Sequence, residues 1–388
     1  MLKHEKLAQE VSGLADKLFL LNTPQSALGQ QAWKNLLKDE AFVERLVQAR
    51  GAGGLPVWMN ELSERVAVVN DLKRYDVLAV DGSQIYPDRH IAGVNCFLIN
   101  CGGILLSYAD SSSANFFSEP RLFLPEHIVP TTSELSFSVD LVDLKREELE
   151  FEIAYQRSFD RLRMGGVKGQ LLTLFDGSLI FWHLESKPEE IRDMFLQKYL
   201  MYLDRFYQQQ LPIAGYISMP KSKELVNMIR LRACEHKKET FVFCQGKVAK
   251  CPCKQFELLV DTQLLQNFLP PFHRTTIFCS RSSITEHYPR FLKPCFFYLN
   301  VEKEIVRVEL PGWMVKDPKM IDFVCKVLID QATKGQGYPV ALAEAHEQAV
   351  VKGADREFFF SLIRKVGIER NKQVFASQKS IKKRGIGI

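Results

Sequence analysis

Val77-Leu78-Ala79-Val80-Asp81-Gly82-Ser83 reads as a buried strand that ends by delivering an acid into a turn. Four consecutive apolar residues suit a strand covered on both faces, and Asp-Gly is ordinary turn chemistry. The pattern returns at Leu171-Leu172-Thr173-Leu174-Phe175-Asp176-Gly177-Ser178. Two strands that each carry a carboxylate to an exposed tip, with an acid-rich helix between them, are the raw material of a two-metal centre for phosphodiester cleavage.

The chain between the two runs supports that reading. Strands are predicted at about 76–81, 91–100 and 103–108, with Gly102-Gly103 as a tight hairpin turn. A polar loop follows, then a helix over about 139–164 closed by Gly165-Gly166, the second acid-bearing strand, and a helix over about 188–210. Strand with Asp, strand, strand, helix, strand with Asp is the order of an α/β ribonuclease-H-like mixed sheet flanked by helices. In that arrangement the two aspartates converge, and the intervening helix can add a glutamate. Leu144, Phe151, Tyr155 and Leu162 form an apolar stripe along this helix, with Glu147 and Glu148 flanking it and Glu150 farther round.

Residues 1–72 read as a helical N-terminal arm. Leu7, Val11, Leu14, Leu18 and Leu21 recur at helical spacing, a second run surrounds Trp33 to Val47, and a third helix is predicted at about 57–72. The domain order is therefore an arm over 1–72, a catalytic domain over 73–368 and a basic tail over 369–388. From Arg364 onward the chain carries Lys365, Arg370, Lys372, Lys379, Lys382, Lys383 and Arg384 against the single acid Glu369. The net charge of +5 is compatible with a polyanionic partner without requiring one.

The N-terminus lacks the apolar core of a signal peptide, and no stretch approaches the ~18 apolar residues of a membrane helix. This predicts a cytoplasmic protein with no membrane association. Of nine cysteines, Cys96, Cys101, Cys279, Cys295 and Cys325 read as small buried hydrophobes. Cys234, Cys244, Cys251 and Cys253 are closer together, near His236, and could hold zinc or an iron–sulfur cluster, although the spacing lacks the paired C-x2-C knuckles of common zinc sites.

With these residues in view, the chain resembles the NurA family of DNA-repair nucleases from about Asp76 to Ile368. Ala79-Val80-Asp81-Gly82-Ser83 is similar to that family's first catalytic strand, and Phe175-Asp176-Gly177-Ser178-Leu179 to its second. Arg146, Leu149, Glu150 and Ala154 match its R-x-x-L-E-x-x-x-A helix. Gly215-Tyr216-Ile217-Ser218 with Lys221-Ser222, then Asp261 with Leu264-Leu265, resemble central motifs. Phe296 to Leu299, Arg307 to Trp313, and the Tyr338 to Ala349 segment with His346 resemble the remaining ones.

The resemblance implies a metal-dependent DNA nuclease, both exonuclease and single-strand endonuclease, processing DNA ends in double-strand-break repair. It implies a homodimer working with a HerA-type hexameric ATPase. Asp81, Glu150, Asp176 and His346 are the implied metal ligands for two Mn²⁺ or Mg²⁺ ions, since hard cations prefer oxygen and Mn²⁺ accepts imidazole. Glu150 is chosen on the motif, whereas the apolar stripe favours Glu147 or Glu148. Tyr216 is assigned a catalytic, orienting role and Lys221 a phosphate contact. The competing reading is a ribonuclease-H-like nucleic-acid-binding protein that lacks DNase activity or acts on RNA.

Overall fold

The computed structural model describes residues 2–15, 23–48, 54–87, 91–92, 95–109, 112–129, 137–165, 170–235, 250–372 and 375–376. Its centre is a mixed sheet of 11 strands among the described residues. The run that opens the catalytic segment forms β1 (Tyr75–Ile85), followed by β2 (Phe97–Tyr108) and β3 (Ser113–Phe123) as an antiparallel meander. Helix α4 (Asp140–Arg163) leads to β4 (Leu171–Asp176), and α5 (Glu189–Gln209) to β5 (Ile213–Ile217). The N-terminal helices are α1 (His4–Gly13), α2 (Thr23–Leu37) and α3 (Glu40–Gln48).

β4 lies parallel to β1 on one side and parallel to β5 on the other, so the two acid-bearing strands are neighbours. Beyond β5 the sheet continues antiparallel through β7 (Ile305–Pro311) and β6 (Pro294–Asn300). Val77, Leu78, Ala79 and Val80 are at most 2% exposed, which explains why β1 reads as an unbroken apolar run: it is covered on both faces. The α/β mixed sheet flanked by helices is the expected class, with the expected element order.

Helix α4 lies across β1 and packs against α5. It has two apolar lines. Leu144 and Phe151 meet α5, where Tyr199 donates a 2.8 Å hydrogen bond to the Leu144 carbonyl and sets its ring, tilted by 39°, 5.9 Å from Phe151. Val142, Leu149 and Ile153 make a second buried line. Helix α8 (Val340–Ala349), preceded by α7 (Pro318–Lys334) and followed by α9 (Gly353–Glu369), packs on β1 and β2.

Several local expectations are corrected. Gly102-Gly103 is no hairpin turn, for β2 runs straight through it. Gly102 is required because a Cβ there would strike the backbone of Gln348 and Ala349 in α8. The sheet turn falls instead between β2 and β3, so the presumed polar loop from Ser113 is a strand that pairs with β2 along its length. No helix spans 57–72. Arg65-Val66-Ala67-Val68 alternates in exposure, a strand period, and Arg65–Ala67 pairs with His273–Thr275 while Val57–Trp58 pairs with Phe278–Cys279.

Helices α2 and α3 of the N-terminal arm pack on the domain. Trp33, Leu36, Phe42 and Leu46 share a second core with α6 (Glu224–Ala233) and with Phe278, Phe296 and Tyr298. Cys279 and Cys295, expected as small hydrophobes, stand opposite each other on adjacent strands and form a disulfide. Leu18, Leu21 and most of the basic tail, Lys379 to Arg384 included, lie outside the described residues.

The close approach at Gly102 yields the first prediction. A methyl there meets main chain that cannot rotate away, so Gly102→Ala should destabilise the fold by about 1–3 kcal/mol. Urea unfolding of the two proteins would measure it. An unchanged midpoint would contradict the packing of α8 on β2.

Candidate active site

β1 does not stop at Asp81. It continues to Ile85, so Asp81 is a mid-strand residue and Gly82 is no turn. Gly82 instead admits helix α4, because a Cβ there would collide with the Glu150 carboxylate and the Arg146 side chain. Asp81 points the other way. It is paired with Gly102, the residue that admits α8, and its Oδ2 lies 2.8 Å from His346 Nδ1. Pairing between β1 and β4 ends at Val80 and Phe175. Asp176 follows one residue later, at the end of β4, where it still pairs with Tyr216 of β5.

The three carboxyl groups interact electrostatically: Glu150 with Asp81 and Asp176, and Asp176 with Asp81. Burial raises the pKa of Glu150 to about 8, with Asp81 and Asp176 adding repulsion and Arg146 opposing both. Glu150 is 17% exposed, and its nearest cation, Arg146 Nε, is 3.6 Å away. Asp176, though open to solvent, is also raised, first by partial desolvation and then by Asp81, while a hydrogen bond from Tyr338 works against the rise. Like charges held this close are costly unless a cation or protons neutralise them.

The other glutamates of α4 are otherwise engaged. Glu148 is 6% exposed and held by Lys145 at 2.7 Å and Lys198 at 3.0 Å. Glu147 accepts from His183 Nε2 at 2.9 Å. Glu150 is the one that presses on β1 beside Asp81. The apolar stripe missed it because Arg146 and Glu150 belong to the helix side that faces Gly82.

His346 is positioned by its helix end. The Ala349 carbonyl, which has no partner within α8, accepts from Ser83 Oγ at 2.5 Å and Asn100 Nδ2 at 2.9 Å. These bonds pin α8 to β1 and β2 and bring the imidazole to Asp81. The imidazole itself is 64% exposed.

The assigned role of Tyr216 needs correction. Its side chain has 0% exposure and sits edge-on to Tyr338, ring centroids 5.6 Å apart. A side chain with no accessible surface cannot touch a substrate, so Tyr216 supports Tyr338 from behind. Tyr338, which sequence reasoning passed over as a site residue, is the tyrosine that reaches Asp176. The Asp176 loop has a second support. Glu309 Oε2 accepts from Ser178 Oγ at 2.7 Å and from the Leu179 amide at 2.8 Å. Its other oxygen accepts from Arg307 Nε at 2.7 Å, and both side chains are fully buried. Asp261 is structural: fully buried, it accepts from the Val226 amide in the first turn of α6 at 2.8 Å and from the Tyr298 hydroxyl at 2.7 Å.

Lys221 lies in the loop after β5. It lines a cleft of about 780 Å³ with Gly177, Ser178, Trp182, Lys223 and Arg281. The cleft thus begins at the loop that carries Asp176. Glu185, also on its wall, accepts from Ser282 Oγ at 2.8 Å, Ser283 Oγ at 2.7 Å and the Ile284 amide at 3.0 Å. Elsewhere, the sulfurs of Cys234, Cys251 and Cys253 gather within 4.8 Å of one another, all buried. Cys244 lies outside the described residues.

As a cation site the residues fit. Asp81, Glu150 and Asp176 supply hard oxygen donors whose mutual repulsion a divalent ion would relieve. With Nδ1 turned to Asp81, His346 can offer its Nε2 as a further donor. No helix among the described residues is long and apolar enough to cross a membrane.

A NurA domain model matches residues 75–351, well over half of the chain. The chain therefore belongs to the NurA domain family. Its structure is similar to the crystal structure of the NurA nuclease from Sulfolobus solfataricus, with a TM-score of 0.51 at 14% identity, covering 95% of this chain and 98% of that one. At that identity the likeness shows the fold. No curated protein matches by sequence.

The raised Glu150 pKa gives a signed prediction for metal-free protein. An acid whose folded pKa exceeds its unfolded value binds more protons when folded, so stability falls as pH rises from about 4.5 to about 8. In EDTA, Glu150→Gln should flatten that decline and stabilise the protein at pH 8 by on the order of 4 kcal/mol. Thermal unfolding across pH measures it. Identical pH profiles for wild type and variant would contradict the crowded-carboxylate arrangement.

Proposed function

We propose that this protein is a divalent-metal-dependent DNA nuclease. Family membership and the shared fold support a nuclease role. The observation that carries the reading further is the set of three interacting carboxyl groups, Asp81, Glu150 and Asp176, with an imidazole on the first. A module that only bound nucleic acid would gain nothing from carboxylates that repel both one another and a phosphate.

Asp81, Glu150, Asp176 and His346 are the proposed ligands for Mn²⁺ or Mg²⁺, taken up as two ions. Ions bound there would polarise the phosphodiester and offset the charge that builds as the P–O bond breaks. The protein's own groups hold the frame. Tyr338 and Glu309 fix the two sides of the Asp176 turn, and α8 holds His346 against Asp81.

DNA is proposed to run from the acids into the cleft beside Ser178. There Lys221, Lys223 and Arg281 would meet the phosphate backbone, which carries no sequence information. Both exonuclease and single-strand endonuclease cleavage, in end processing for double-strand-break repair, follow from the resemblance rather than from this geometry. So do the homodimer, the HerA-type ATPase and a cytoplasmic setting. One feature supports a partner: α1 buries none of its residues, and Leu7, Val11 and Leu14 leave an apolar stripe on it exposed.

The test is cleavage of end-labelled single- and double-stranded DNA and of RNA, with Mn²⁺, Mg²⁺ or EDTA. Asp81→Ala and Asp176→Ala should each lower DNA cleavage at least about 100-fold while leaving folding and DNA binding near wild type. Cleavage that survives EDTA or both substitutions would overturn the assignment. Cleavage confined to RNA would replace the substrate.

A further inference from the structure

Outside the carboxylate centre, the densest group of potential ligands is the thiol cluster of Cys234, Cys251 and Cys253. The three residues are 1%, 4% and 0% exposed. Cys234 follows the last turn of α6, whereas Cys251 and Cys253 flank Pro252 at the start of the one-turn helix Pro252–Phe256. That one-turn helix packs directly on α6. Two separate elements thus turn their cysteines inward onto one point.

The spacing of the sulfurs identifies the guest. A tetrahedral zinc ion with Zn–S bonds of about 2.3 Å sets neighbouring sulfurs about 3.8 Å apart. Cys234 Sγ and Cys251 Sγ are 3.7 Å apart, and all three sulfurs fall within 4.8 Å of one another. Sulfurs this close can share a single ion. An iron–sulfur cluster, with several irons between its ligands, would hold them farther apart. Soft thiolates select zinc among abundant divalent ions, whereas the carboxylate centre suits Mn²⁺ or Mg²⁺. The flanking Lys250 and Lys254 are exposed and add positive charge beside a site that carries net negative charge when thiolates bind.

We infer that Cys234, Cys251 and Cys253 hold a structural zinc ion that ties α6 to the Pro252–Phe256 turn. On binding, each thiol loses its proton to solvent and forms one Zn–S bond, with no change of oxidation state. The ion's place in the fold gives it a purpose. α6 begins immediately after Lys221, Ser222 and Lys223, which line the cleft beside Ser178. Its start is held by Asp261, and the zinc would hold its end. The wall of the cleft would then be fixed at both ends of one helix. This inference does not rest on the nuclease assignment.

The experiment is elemental analysis of full-length protein after dialysis without chelator, on wild type, Cys251→Ser/Cys253→Ser and Asp81→Ala/Asp176→Ala. About one zinc per chain in wild type and in the aspartate variant, absent from the cysteine variant, is the expected result. Zinc lost from the aspartate variant instead would place the ion at the carboxylates and overturn the inference. Iron in place of zinc, no bound metal in wild type, or zinc retained by the cysteine variant would each overturn it as well. Because the wild-type measurement needs no variant, a cysteine double that fails to fold leaves the test intact. Cobalt exchange on wild type supplies a second readout. A thiolate-to-cobalt charge-transfer band should appear, and its absence would contradict sulfur ligation.

Discussion

Electrostatic repulsion among three carboxyl groups is the constraint around which this structure is arranged. Asp81, Glu150 and Asp176 come from a strand, a helix on one face of the sheet and the end of a neighbouring strand. Glu150 is pushed far enough from its usual range to stay protonated near neutrality when nothing else neutralises it. A fold does not collect such groups for stability. It must hold them together against their repulsion, and much of the surrounding packing does that. Glycine at 82 lets α4 come down on β1, and glycine at 102 lets α8 come down on β2. Ser83 and Asn100 tie down the last carbonyl of α8. Glu309 clamps the turn after Asp176 with two hydrogen bonds.

Much of the second half of the chain supports that centre from behind, while His346 and Tyr338 reach it directly. Arg307 and Glu309, part of a family-like motif, are both fully buried and spend their bonds on each other and on the Ser178 turn. Arg307 also reaches Glu224 Oε1 at 2.9 Å, linking the Asp176 loop to the first turn of α6. Asp261 holds that same turn through the Val226 amide. Breaking a network of this kind exposes an unpaired buried charge and is severe. Substitutions there would mimic loss of a catalytic residue without touching the chemistry.

Strong local patterns were legible in the sequence, and contacts set by distant chain were not. The helix Asp140–Arg163 and the strand Leu171–Asp176 follow directly from periodicity and apolar runs. The pairing of β1 with β4 follows from their order. Gly102-Gly103 misleads because the same dipeptide serves a turn and a close helix approach, and only α8, more than 200 residues later, decides between them. Residues 57–72 mislead because their strands exist only by pairing with His273–Thr275 and Phe278–Cys279. At the site, Asp81 and Asp176 stand out as the ends of apolar runs. Glu150 does not, because α4 has two buried lines and one stripe cannot rank the acids between them. Tyr216 and Tyr338 both sit in family-like motifs, and which of them reaches Asp176 is decided by burial, which the sequence does not show: Tyr216 is fully buried and Tyr338 is the one that bonds Asp176.

The most direct test of the central claim is divalent-cation affinity, measured calorimetrically with Mn²⁺ on wild type, Asp81→Asn, Glu150→Gln and Asp176→Asn. If the three carboxyl groups form one cation site, each substitution should weaken binding at least about tenfold, the cost of losing one charged ligand from a shared centre. Binding to wild type near pH 7 should also release protons, because Glu150 must give up its own to become a ligand. Affinity left intact by all three substitutions, or uptake with no proton release, would show that these carboxylates are not a cation site.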